Sequence, residues 1–343
     1  MTRQPEHRPL VRPEPTRPPG AGSHRVVRAL GIVAILVMVS SLIAACSEGE
    51  SSRAGGRGPG AQVKTIGLMV QDLSNPFFQS MANGVKAGAA KLGATVNVQD
   101  GRQDLGVQNE QIDAFIQQKV DVLLLNAVDS VGIGPAIERA KAAGITVVAV
   151  DVNARGAEAT VTLDNTNAGE IACTYLADHI GGEGNILLVN GTPISSVQDR
   201  VTGCKRALTR YPKIAIVAEQ NGDNGRARAV TITTDMLTAH RDVKGIFGIN
   251  DPTALGATLA AEQAGFNNLV IVGVDASPEA VAELHKPNSM FQGSAAQDPN
   301  TQGAIGLDMA RRLFAGEKLE QNTVRVPTQF ITRANLAQYK GWQ

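Results

Sequence analysis

The chain has 343 residues, 43% hydrophobic and 19% charged, with a formal net charge of zero. That length suits two domains, the apolar share supports packed cores, and neutrality offers no electrostatic reason for a nucleic-acid partner. Three cysteines exclude a disulfide-stapled miniature fold and a four-cysteine zinc site, and a single long apolar run excludes a multi-span membrane protein.

Residues 1–25 are rich in Pro, Arg, Glu and Gly and show no hydrophobic period. His24, Arg25 and Arg28 then precede an apolar run from Ala29 to Ala45. A positive flank, a short apolar stretch and small residues at its end read as a secretory signal over 1–45. The run closes on Leu42-Ile43-Ala44-Ala45-Cys46, which resembles the lipobox of bacterial lipoproteins and implies a lipid on Cys46. Residues 46–62 are small and polar, the composition of a flexible tether. Removing 1–45 takes six Arg and two Glu from 32 basic and 32 acidic residues, leaving 26 against 30, a net charge of −4. The expected product is exported and lipid-anchored to the outer face of the cytoplasmic membrane.

From Lys64 onward the pattern alternates strand and helix. Strands are expected at Lys64–Val70, Thr95–Val98, Asp121–Leu125 and Ile145–Val150, with helices at Asn75–Leu92, Val107–Gln118 and Gly134–Ala143 between them. A second series follows a shift near Asp164–Ala168. It has helices at Ala168–Ile180, Ser196–Arg210, Ala227–Ala239, Thr253–Ala264 and Glu279–His285. Its strands are Asn185–Val189, Ile214–Ala218, Val243–Ile249, Leu269–Val274 and Met290–Ala295. A last helix, Gln302–Phe314, precedes a tail containing Pro327. Continuous apolar strands separated by helices imply parallel sheets covered on both faces, a doubly wound α/β class. About ten strands exceed one comfortable sheet, so two lobes are expected.

Ligands of such sheets sit beyond the carboxyl ends of the strands. The polar residues there are Asn126, Asp151, Asn190, Asn250 and Asp275, with Gln297 close after the last strand. Amides and carboxylates hydrogen-bond without being nucleophiles, the chemistry that a polyhydroxyl ligand requires. Each could instead cap a helix or a turn.

Ser74-Asn75-Pro76-Phe77-Phe78 follows the first strand. Farther on come Asn126-Ala127-Val128-Asp129-Ser130, Val150-Asp151, Asp199-Arg200, Leu237-Thr238-Ala239-His240, Asn250-Asp251 and Val272-Gly273-Val274-Asp275. In order and spacing, from about Lys64 to Lys340, the chain resembles the ribose-type sugar-binding proteins of bacterial ABC importers. The resemblance implies the type I periplasmic binding protein fold, two lobes joined by three hinge crossings that close over one sugar. Lobe one becomes 63–165 plus 298–326, and lobe two 166–297 plus 327–343.

Carried over by the resemblance, Asn75 hydrogen-bonds the sugar and Phe77 and Phe78 stack on its C–H faces. Asn126 and Asp151 complete the share of lobe one. Arg200 donates a hydrogen-bond fork from lobe two, where Asn250, Asp275 and Gln297 finish the site. Two positions depart from the family's ribose pattern: Val152 stands where it has Arg, and Asn224 where it has an aromatic. A ligand matched to this site should therefore differ from ribose, as a hexose, another pentose or a polyol does.

The resemblance implies ABC permease subunits as partners, encoded in separate chains, and a monomer. The alternative is an exported sugar sensor feeding a membrane kinase or chemoreceptor. A repressor needs a helix-turn-helix where this chain has its signal and tether. An enzyme needs a base with a defined partner, which a ring of amides does not offer. No cofactor is expected, and no metal, because His179, His240 and His285 are isolated. Gly181-Gly182-Glu183-Gly184 precedes a strand and reads as a helix stop. Asp251-Pro252 reads as a helix start. Cys173 and Cys204 lie on consecutive helices, and export permits a disulfide between them. Trp342, the one tryptophan, is expected far from the cleft.

Overall fold

The computed structural model describes residues 58–342; the leader, Cys46 and most of the expected tether lie outside them. Twelve strands among the described residues form two six-stranded sheets. The first holds β1 (Thr65–Val70), β2 (Thr95–Asp100), β3 (Val122–Leu125), β4 (Thr146–Val150), β5 (Ala159–Leu163) and β11 (Thr323–Val326). Their order is β11-β5-β4-β3-β1-β2, parallel throughout. The second holds β6 (Glu183–Asn190), β7 (Lys213–Asn221), β8 (Val243–Gly248), β9 (Val270–Asp275), β10 (Phe291–Ala296) and β12 (Phe330–Thr332). Its order is β12-β10-β9-β8-β6-β7, with only β12 antiparallel to its neighbour.

The central strands explain the continuous apolar runs. Every residue of β3, β4 and β9 is buried, because helices cover both faces. Along β3, Val122 and Leu124 enter one core, and Leu123 and Leu125 the other. The first core is closed by α1 (Pro76–Leu92) and α9 (Pro299–Phe314), the second by α2 (Leu105–Gln118) and α3 (Gly134–Ala142). The second sheet is covered by α4 (Asn165–His179) and α5 (Ser195–Leu208) on one face. On the other lie α6 (Arg226–Ala239), α7 (Asp251–Gln263) and α8 (Pro278–Leu284). Asn75, Asp104, Asp164, Asn250, Ser277 and Asp298 each cap a helix by accepting a first-turn backbone N–H.

The chain passes between the sheets three times: at Asp164, at Gln297–Asp298, and at Pro327–Gln329. Two helices adjoin these crossings, α4 after the first and α9 after the second. Helices α4 and α5 approach unusually closely. A Cβ on Gly169 would lie 1.9 Å from the Arg200 carbonyl oxygen, and one on Gly203 1.9 Å from that of Thr166. Cys173 and Cys204, fully buried between the same helices, form a disulfide with Cα atoms 5.0 Å apart.

Several sequence expectations are corrected here. β5, β11 and β12 were not anticipated as strands. β5 (ATVTL) is short and alternates Thr with apolar residues, yet lies buried between β4 and β11. β11 is a half-exposed edge strand whose four residues include Arg325. Helix α4 starts at Asn165 rather than Ala168, and α9 at Pro299 rather than Gln302. Gly58 and Ala61, placed in the tether by composition, lie against the fold. Gly58 donates its N–H to the Phe314 carbonyl at 3.3 Å, and Ala61 packs on the core under α1 and α9.

Candidate functional site

The strand ends of the two sheets face one cleft. From the first sheet come Gln71, Asn75, Phe77, Phe78, Gln103 and Asp151; from the second come Arg200, Asn250, Asp275 and the crossing residue Gln297. The first turn of α5 adds Ile194, Ser196 and Val197, and Ile249 and Asn224 complete the wall. At the rim, Asn153 N donates to Ser195 Oγ at 2.8 Å, and Ser195 N to Ser130 Oγ at 3.3 Å. These bonds tie the α5 N-terminus to the loops after β3 and β4.

Asp151 follows β4 with φ 70°, and Asp275 ends β9 with φ 125°, so equivalent strand ends present a carboxylate from strained backbone. Thr162 Oγ1 holds the Asp151 carbonyl at 2.6 Å. Between the two carboxylates lies Arg200, whose side chain is 5% exposed. Its Nε donates to Asn165 Oδ1 at 2.8 Å, and its Nη1 to the Ile249 carbonyl at 2.9 Å and Asp275 Oδ1 at 3.5 Å. Asn165 opens α4 at the first crossing, so the guanidinium is aimed from the hinge. Gln297 donates to Asp275 Oδ1 at 2.6 Å and accepts from Gln302 at 2.8 Å.

Phe77 and Phe78 meet edge to face, with ring centroids 5.2 Å apart. Both line the cleft and also belong to the core beneath it. Asn75 and Asn250 combine lining with capping. Asn75 Oδ1 accepts from Phe77 N, and Asn250 Oδ1 accepts from Thr253 N while its Nδ2 donates to the Asn224 carbonyl.

Four expected positions behave differently. Asn126 does not line the cleft; it lies behind Asp151, donating to Asp151 Oδ2 at 3.0 Å and to the Val150 carbonyl at 2.8 Å. Asn190 turns away and donates to Glu219 Oε1 at 2.7 Å, because its strand neighbour β7 offers a carboxylate outside the cleft. Val152 is fully buried in apolar core. Asn224 reaches the cleft, but both ends of its amide bind Thr192. Trp342 was expected far away, yet its Nε1 donates to the Asp275 carbonyl at 3.1 Å. Gln71 was missed although it directly follows β1, where the strand-end rule applies. Asp251 starts α7 as expected and is fully buried.

Burial raises the pKa of Asp151, Asp251 and Asp275 above the ordinary carboxylate range. Arg200 and Asn126 oppose this at Asp151, and Arg200 and Gln297 at Asp275. Asp251 lacks such a counterion and also feels the Asp275 charge. Ser277 N donates to Asp251 Oδ2 at 2.6 Å, and Ser294 Oγ lies 2.5 Å from Oδ1. A carboxyl whose pKa rises on folding stabilises the fold fully below its unfolded value, near 4. That stabilisation is lost as pH climbs through the folded value, which for Asp251 is about 8. The protein is therefore expected to lose stability between about pH 4 and pH 8. Asp251→Asn should flatten this slope, because it removes the titrating group whose Oδ1 accepts from Ser294 Oγ. Urea midpoints from about pH 5 to 8 check this, and identical slopes in the two proteins would refute it.

Two α/β lobes, three crossings and a polar cleft between the strand ends define a solute-binding protein that closes on its hinge. The chain belongs to the periplasmic binding protein family, whose domain matches residues 66–318. Over 272 residues it is 32% identical to the ribose import binding protein RbsB of Bacillus subtilis (strain 168), covering 78% of this chain and 87% of that protein. Over 315 residues it is 26% identical to a xylitol-binding protein of Mycolicibacterium smegmatis, covering 91% and 87%. The structure of an ABC transporter solute-binding protein from Mycobacterium smegmatis with bound glycerol superposes with a TM-score of 0.78. That pair shares 30% identity, over 82% of this chain and 98% of the other.

Proposed function

We propose that this protein captures a neutral monosaccharide or polyol in the cleft and delivers it to an ABC permease by hinge closure. The observation that carries the ligand class is a buried acceptor at the cleft wall. Asp151 lines the cleft and its Oδ1 is buried with no protein partner, and an unmet buried acceptor costs about 1–3 kcal/mol. A hydroxyl donor matches it, while Arg200 and the amide of Asn75 serve the ligand's acceptors. Phe77 and Phe78 offer apolar surface to C–H faces. Two buried carboxylates against one guanidinium disfavour an anionic ligand. The binding of ribose by one relative and of xylitol by another, as their names state, supports this class.

In this reading lobe one comprises 63–165 with 298–326, and lobe two 166–297 with 327–343, acting as a monomer. Cys46 carries the lipid that keeps the protein on the outer face of the cytoplasmic membrane. The test is a thermal-shift panel of pentoses, hexoses, polyols, sugar acids and sugar phosphates, with calorimetry on each hit. One neutral compound should stabilise the protein by about 2.7 kcal/mol at a hundredfold excess over its dissociation constant. A hit confined to the charged compounds, or none at all, would overturn the ligand class.

A further inference from the structure

The C-terminal segment after β12 lies beyond the 66–318 family match and reaches the ligand site. Its one-turn 3-10 helix, Leu336–Gln338, starts a run that crosses from one lobe to the other. Leu336 and Tyr339 pack on the core of the second sheet, whereas Trp342 packs on the core under α1 and α9 of the first.

Two hydrogen bonds anchor this run to the strained loop that carries Asp275. Tyr339 Oη donates to the Ala276 carbonyl at 3.0 Å, and Trp342 Nε1 to the Asp275 carbonyl at 3.1 Å. Asp275 and Ala276 have φ of 125° and 47°, successive positive values that non-glycine residues keep only when their surroundings hold them. The other side of the Trp342 ring meets the opposite lobe. Its centroid lies 5.9 Å from that of Phe77, edge to face at 83°. One residue thus touches a ligand-loop backbone in lobe two and a cleft aromatic in lobe one.

We propose that Trp342 is a positioning residue of the binding site, a strap that holds the Asp275 loop and links the lobes in the closed form through Phe77. Opening the hinge draws Phe77 away from Asp275, so one of the two contacts must break. The strap therefore favours closure and slows ligand release. This inference rests on the cleft being the solute site.

The test compares the full chain with Trp342→Phe and Trp342→Ala. Calorimetry and stopped-flow release are run with D-ribose, D-allose, xylitol and myo-inositol, and ligand-free proteins are studied by small-angle scattering. One aromatic contact and one hydrogen bond predict about a 10- to 100-fold higher Kd for Trp342→Ala, mostly from faster release. Trp342→Phe keeps the ring and loses the donor, and should show about a 3- to 10-fold rise and a partial rescue of the release rate. Trp342 is the sole tryptophan, so its emission should also shift when a bound probe closes the wild-type cleft. If any probe binds, Kd and release rates within twofold of wild type in both variants overturn the strap. If none binds, the sugar reading fails by itself and the scattering decides. A larger radius of gyration for ligand-free Trp342→Ala then supports the strap, and an unchanged one overturns it.

Discussion

Arg200→Ala is expected to abolish ligand binding and to destabilise the ligand-free protein by about 3–5 kcal/mol, the loss typical of breaking a buried ion pair from one side. The guanidinium binds Asn165, the Ile249 carbonyl and Asp275, and its charge also lowers the pKa of Asp151. Truncation leaves two buried carboxylates without their counterion and orphans two buried acceptors. Arg200→Lys keeps the charge and loses the planar fork, so it should retain much of the stability and little of the affinity. Urea unfolding read beside calorimetry separates these effects. Wild-type affinity in Arg200→Ala would remove Arg200 from the site.

Replacing Cys173 and Cys204 together by alanine is expected to cost about 3–4 kcal/mol, the chain-entropy value for a loop of this size. The disulfide spans a sequence separation of 31. Its loss should reach function as well, because α4 starts at the hinge beside Asn165 and α5 carries Arg200. The same helices are clamped by Gly169 and Gly203, so the fold should survive with a looser α4–α5 pair and weaker ligand binding. Unfolding of the variant and of wild type with and without reductant provides the check. A cost below about 1 kcal/mol would mean that the glycine contacts alone hold the pair.

The two sheets and the three crossings hold Asp151 on one body and Arg200 and Asp275 on the other, so a ligand touching all three must draw the bodies together. That is the physical content of hinge closure here. The buried acceptor Asp151 Oδ1 is the point where closure gains most.

Much of this was legible along the chain because strand ends are local features. Asp151, Asn250 and Asp275 follow apolar runs directly, and parallel packing turns those ends toward one cleft. The same rule covers Gln71, which directly follows β1, and misplaces Asn190, whose side chain bonds Glu219 on the neighbouring strand. Asp164 and Asp298 cap helices that hydrophobic period alone starts too late, at Ala168 and Gln302.

By itself, then, the sequence determined the alternation of strands and helices, the two-lobed class and most of the polar ring. Those follow from hydrophobic period and from chain direction at each strand end. Only the tertiary structure decided which amides face the ligand, how Arg200 is aimed, and that the C-terminus returns to the site. Trp342 meets Asp275 across 67 residues of sequence and Phe77 across 265. Contacts of that separation depend on how whole lobes pack, and no local pattern encodes them.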